Sequence, residues 1–151
     1  MAAETVVAAN VQQTVPFFTV HDIERSVRFY VDGVGFRMTK AWRPEGRLRW
    51  CWLELGDVAI MLQAFWTEGP HKNVPATKVG LGVAITFICR DAVALWREFT
   101  SRGLAAQRPY VGNAMWVTEI ADPDGYCLLF ESPTDAPEES VLPEEPGATA
   151  P

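Results

Sequence analysis

The chain carries one pattern twice. Asp22 and Asp91 each follow a short apolar run and open an amphipathic stretch, and they stand 91 − 22 = 69 residues apart. Asp57 and Gly125 each sit in a turn between two apolar runs, 125 − 57 = 68 residues apart. Offsets this similar, about seventy residues each, mean one supersecondary unit used twice, and two copies give a paired, pseudo-symmetric domain where a solenoid needs three or more. The unit reads as strand, helix and three strands, so the expected fold class is α+β, built from two βαβββ modules.

The second copy has the clearer turn. In Asp122-Pro123-Asp124-Gly125 the proline presets φ, aspartate bonds back to the backbone, and glycine tolerates φ > 0. Apolar runs flank it, Met115 to Ile120 and Tyr126 to Phe130, which predicts a hairpin. Upstream, Val15 to Val20 reads as a strand. Asp22 caps a helix with Ile23, Val27, Tyr30 and Val31 on one face, stopped by Gly33 and Gly35. Phe36 to Trp42, Leu48 to Leu55 and Val58 to Ala64 read as three strands. Phe65 to Lys78 is a long loop with Trp66 and His71, a length often tied to function. Gly82 to Ile88 reads as strand, Asp91 caps a second helix with a stripe of Ala92, Leu95, Trp96 and Phe99, and Pro109 to Gly112 reads as loop. The boundaries are a flexible lead-in over 1–13, a first module over 14–66, a connecting loop over 67–78, a second module over 79–132, and a disordered tail over 133–151.

Composition narrows the function classes. Of 151 residues, 48% are apolar and 21% charged, as in a globular body with a real core. The net charge of −6 argues against nucleic acid as partner, although Glu138, Glu139, Glu144 and Glu145 lie in the tail. Cys51, Cys89 and Cys127 sit in apolar runs without metal-type spacing, so buried reduced thiols are expected ahead of a disulfide, as in a cytoplasmic protein. No run reaches the length of a membrane span, and no cationic segment precedes an apolar one near the start; neither membrane nor secretion is expected.

Four motifs in order, Val20-His-Asp-Ile-Glu-Arg-Ser-Val-Arg-Phe-Tyr30, Gly33-Val-Gly-Phe36, Leu55-Gly-Asp57 and Ala121-Asp-Pro-Asp-Gly-Tyr126, resemble the vicinal oxygen chelate superfamily. That group includes glyoxalase I, extradiol dioxygenases, fosfomycin-resistance transferases and bleomycin-resistance proteins. The resemblance covers about residues 15 to 132. It implies two modules whose curved sheets form a cup, often in a homodimer with modules exchanged or packed across the interface.

The resemblance also implies where metal-using members place their ligands. The seats fall at Val15, seven residues before Asp22, at Gly82, nine before Asp91, and at Leu129, seven after Asp122; a fourth falls near Met61. None offers the nitrogen or oxygen donor a divalent ion needs. Glu131, two residues beyond Leu129 and on the same face, is the one substitute. No metal and no cofactor are therefore expected.

From the same registers, the cup face comprises Phe17 and Thr19; Trp50, Trp52 and Glu54; Ala59, Met61 and Gln63; Met115, Val117 and Glu119; and Cys127, Leu129 and Glu131. This mixture suits an apolar pocket with a few polar groups. The expected ligand-binding set is Phe17, Trp50, Trp52, Met61, Gln63, Trp66, Met115, Val117, Glu119, Leu129 and Glu131, with Trp66 closing over the ligand. Trp50 and Trp52 would otherwise fill the cup or an interface. Glu54 is read as a solvated strand end, His71 as a solvated loop residue or an acid/base, and His21 as structural. The expected function is sequestration of an apolar or aromatic small molecule, cationic forms included, without metal. The alternatives are an enzyme of the glyoxalase/dioxygenase class, with an unrecognised metal set or a metal-free acid/base such as Glu119 or His71, and a partner-binding domain whose cup is plugged by its own side chains.

Overall fold

The structure is a computed structural model that describes residues 9–146. It contains two four-stranded mixed sheets and two helices, an α+β fold. The first module is β1 (Phe17–Val20), α1 (Ile23–Val27), β2 (Arg37–Trp42), β3 (Trp50–Leu55) and β4 (Val58–Ala64). The second is β5 (Ala84–Ile88), α2 (Ala92–Ser101), β6 (Tyr110–Gly112), β7 (Met115–Ala121) and β8 (Cys127–Pro133). The sheets run β1-β4-β3-β2 and β5-β8-β7-β6, so the repeat read in the sequence is a repeat of topology.

Each helix starts where an aspartate can hold it. The side chains of Asp22 and Asp91 accept from the backbone N–H groups of Arg25 and Ala94, at 3.1 and 2.9 Å, which satisfies donors the first turn leaves orphaned. α1 continues as a π-helical turn over Arg28–Val34 that ends at Gly35, where φ is +107°. Gly33 does not stop the helix as expected. It lies inside the π-helical turn, where a Cβ would meet the Leu104 side chain at 2.8 Å.

The helix-facing sides of both sheets merge into one core holding Phe18, Tyr30, Leu53, Leu62, Phe99, Leu128 and Phe130. Burial of each large apolar side chain contributes about 1.5–3 kcal/mol. The modules meet at the Asp122–Gly125 turn. Asp122 accepts from its own turn through Oδ1, from the N–H groups of Asp124 and Tyr126 at 2.9 Å each. Its Oδ2 accepts from the Tyr30 hydroxyl at 2.7 Å. Tyr126 stacks on Phe18 with ring centroids 4.1 Å apart and donates its hydroxyl to Thr19 O at 3.1 Å.

Three other expectations need correction. Residues 110–112 are not loop but the edge strand β6, turned into β7 through Asn113 and Ala114, both at positive φ. Gly82, expected in a strand, lies in a turn at φ +83° before β5 begins. Residues 134–146, expected to be disordered, run along the outer edge of β6. Val111 exchanges backbone hydrogen bonds with Glu139 and Ser140, Leu142 donates to Pro109 O, and Arg97 pairs with Glu145 at 2.7 Å. An unpaired strand edge needs cover, and Val111 has both backbone groups free to take it. The remainder of the tail, 147–151, and positions 1–8 of the lead-in lie outside the described residues. Among the described residues no helix is long and apolar enough to cross a membrane.

Candidate functional site

Strand register decides which side chains face away from the helices. In the first sheet Trp50 pairs with Gln63, Trp52 with Met61 and Glu54 with Ala59, while Phe17 and Thr19 on β1 pair with Met61 and Gln63. Directly paired residues share a face, so the expected first-module set stands together. In the second sheet Val117 pairs with Glu131 and Glu119 with Leu129, and Met115 shares their side of β7. The second-module set also stands together, although Val117 is buried, at 5% exposed.

The two sets lie on different sheets, and among the described residues no strand of one sheet pairs with a strand of the other. Within one chain the expected cup is therefore divided into two separate faces, its half-cups. The first is mostly indole. Trp50 and Trp52 are part-exposed, so this face is not plugged by the chain's own side chains. Trp42 adds a third ring: it pairs with Trp50 across β2 and β3 and is 51% exposed. Lys40 sets its ammonium 4.9 Å from the Trp52 ring centroid. Trp52 donates from Nε1 to Glu54 at 3.0 Å. Glu54 also lies 3.9 Å from Arg37, so it is a paired carboxylate and not merely a solvated strand end.

The second half-cup carries the carboxylates. The Tyr110 hydroxyl lies 3.4 Å from Glu119 and the Cys127 thiol 3.6 Å from the same carboxylate. Partial burial first, and then the Glu119 charge, push both the phenol and the thiol above their usual range, so both stay protonated donors. All three cysteines are free, but Cys89 and Cys127 are only partly buried.

The implied metal seats do not fit an ion. Val15 and Leu129 lack donor atoms, and Gly82 lies ahead of β5. The β5 residues that pair with Cys127, Leu129 and Glu131 are Ala84, Thr86 and Ile88, which supply one hydroxyl. Glu131 alone does not make a site: among the described residues no group of three His, Cys, Asp or Glu side chains could hold a metal ion. No step through a metal is derived for this chain.

At the rim of the first half-cup, where β3 begins and β4 ends, Arg49 donates to Ala64 O and Phe65 O at 3.3 and 3.0 Å. Its guanidinium lies 4.2 Å from the centroid of Trp66. Trp42, Arg47, Arg49 and Trp66 line a rim cavity of about 370 Å³. Trp66 thus shares a cavity with Trp42, which Trp50, Trp52 and Met61 do not line. His71 stands in the same loop with its ring 6.5 Å from that of Trp66. Three residues of this region, Trp42, Lys40 and Arg49, were not reached from the sequence.

A family model described as Glyoxalase/Bleomycin resistance protein/Dioxygenase superfamily matches residues 10–130. Similar solved structures include TioX from Micromonospora sp. ML1, at 18% identity and TM-score 0.60, covering 83% of this chain and 98% of that one. TnmS3, an antibiotic binding protein from Streptomyces sp. CB03234, is 19% identical with TM-score 0.60 and coverages of 84% and 100%. The fosfomycin resistance protein FosX from Mesorhizobium loti is 17% identical with TM-score 0.57 and coverages of 82% and 93%. No curated protein matches the chain. The family match spans most of the sequence, and with the paired βαβββ topology it settles membership: the chain belongs to the glyoxalase/bleomycin resistance protein/dioxygenase superfamily.

Proposed function

We propose that this protein binds and sequesters an apolar or aromatic small molecule, cationic forms included, in a Trp/Met-lined groove without a metal ion, and that it does so as a homodimer. The observation that carries the reading is the indole shelf of Trp42, Trp50 and Trp52 with Met61 beside it. A contiguous apolar patch left open on a small domain is a binding surface in waiting, and indole faces suit planar rings and cations. TnmS3, an antibiotic binding protein of the same fold, supports the same class of function.

What a single chain leaves uncovered supports the homodimer. β1 and β5 are outer strands of their sheets, with Phe17 50% and Ile88 72% exposed. Setting β5 of one copy beside β1 of another covers both edges. It also carries Glu119 and Glu131 across to the indole shelf, where they favour a cationic ligand.

Tryptophan-fluorescence quenching by a planar aromatic cation, with elemental analysis of the same sample, tests the reading. Saturable quenching with substoichiometric metal is expected. Stoichiometric zinc, nickel, iron or manganese bound at the cup would favour an enzyme of the superfamily and overturn it.

A further inference from the structure

We propose that His21 is a proton-operated latch: while charged it holds the intermodule loop, and with it Trp66, against the rim of the groove, and on losing its proton it lets the loop go. His21 lies between β1 and the cap of α1. Its Nδ1 is 2.5 Å from Asp124 Oδ1 and its Nε2 is 2.9 Å from Pro75 O. A carboxylate and a carbonyl are acceptors only, and just the imidazolium carries an N–H on both ring nitrogens. A neutral ring can keep one of these bonds, and its other nitrogen then turns a lone pair on an oxygen.

Which bond survives follows from the partners. Asp124 offers a carboxylate oxygen, is 4% exposed, and is fixed by a second bond from the His21 backbone N–H at 3.1 Å. Charge-assisted bonds are the stronger ones, so the neutral ring keeps Asp124 and releases Pro75. Other charged groups surround the ring from each neighbouring element. The turn adds Asp122, α1 and its cap contribute Asp22, Glu24 and Arg25, the loop adds Lys78, and the segment before β3 adds Arg47 and Arg49. These near neighbours are four cations against four carboxylates, Asp124 included, so the two direct acceptors decide the outcome.

The loop's own contacts carry the release to Trp66. Asn73 donates its N–H to Trp66 O at 3.1 Å, and its side chain accepts from the Trp66 N–H at 3.3 Å. Pro75 lies two residues beyond Asn73. The ring of Phe65, adjacent to Trp66, packs 5.2 Å from that of His21. Freeing Pro75 therefore loosens the arm that holds Trp66 over Arg49.

The direction in pH follows. The Pro75 carbonyl first, and then the Asp124 carboxylate, raise the His21 pKa above 6.5 against opposing burial. Stabilisation of the closed loop is thus full below the unfolded value and lost as pH rises through the folded one. The consequence for ligand retention rests on the groove reading; the loop's response does not.

Ring resonances of His21 and the indole N–H of Trp66, followed by NMR from about pH 5.5 to 9 in the ligand-free full chain, test the proposal. Trp66 is expected to titrate with the midpoint of His21, above 6.5, with several-fold faster amide exchange over residues 66–75 beyond it, relative to intrinsic rates. His21→Gln should flatten the Trp66 response, Asp124→Asn should lower the His21 midpoint, and His71→Gln should change neither. A Trp66 response that survives His21→Gln or disappears with His71→Gln, or a loop indifferent to pH in the unmodified chain, overturns the latch. Absence of any binding of a planar aromatic cation, with the latch titrating normally, would count against the groove alone.

Discussion

Asp122 shows how much one side chain can carry. Its local role was legible, because aspartate before Pro-Asp-Gly organises a turn by bonding its own backbone. Its second role, accepting from Tyr30, joins residues 92 apart and has no local signature. Burial raises the Asp122 pKa, with the bonds from Tyr30, Tyr126 and Asp124 opposing it. The folded state then binds more protons than the unfolded state between the two pKa values, so stability falls as pH rises through that window. Tyr30→Phe removes one opposing bond and leaves a buried oxygen unpaired. The expected loss is about 2 kcal/mol in urea unfolding, larger near pH 7 than near pH 4 because only the ionised carboxylate needs that donor. For His21 the sequence suggests only a structural role beside the helix cap, because its contact with Pro75 spans 54 residues and has no local signature.

Strand β2 explains why part of the indole shelf was missed. Met38 pairs with Leu53 and packs against the core, while Lys40 pairs with Trp52, so a bulge at Thr39 breaks the alternation. Simple period-two reading from Met38 would turn Lys40 and Trp42 toward the helices. The faces of β3, β4, β7 and β8 contain no such bulge, and there the alternation was read correctly. The turn before β7 was missed for a related reason: Asn113-Ala114 lacks the glycine that marks such turns.

Close approach at Gly80 yields a prediction for the same scale. A Cβ there would stand 2.1 Å from the Tyr126 backbone nitrogen, and Gly80 donates to Asp124 O at 2.9 Å. Gly80→Ala should destabilise by about 3 kcal/mol, seen as a shifted denaturant midpoint. Truncation after Pro133 should leave β6 uncovered. Its expected signature is faster amide exchange at Val111 and concentration-dependent aggregation, with the far-UV signal of the two sheets retained. The tail's composition, rich in proline and glutamate, suggested disorder because it has no core of its own; its order comes from the β6 edge and from Arg97 and Arg108.

For the whole molecule, the paired modules and their family were legible because a doubled motif survives at fixed spacing even where side chains diverge. The absence of donors at Val15 and Leu129 was legible too, since it needs only residue identity. How the two half-cups combine was not, because assembly depends on which edges remain open after folding. If β5 beside β1 closes the groove, Ile88→Lys should shift the molecule from dimer to monomer in sedimentation velocity while leaving the circular-dichroism spectrum unchanged. The central claim is that indole faces, not a metal ion, hold the ligand. Calorimetric titration of a planar aromatic cation into chelator-treated protein tests it most directly. Affinity should be the same with and without chelator and fall at least about tenfold, roughly 1.4 kcal/mol, in Trp52→Ala. Binding that vanishes on chelation and returns with a divalent ion, or that is indifferent to loss of the Trp52 ring, would contradict the account.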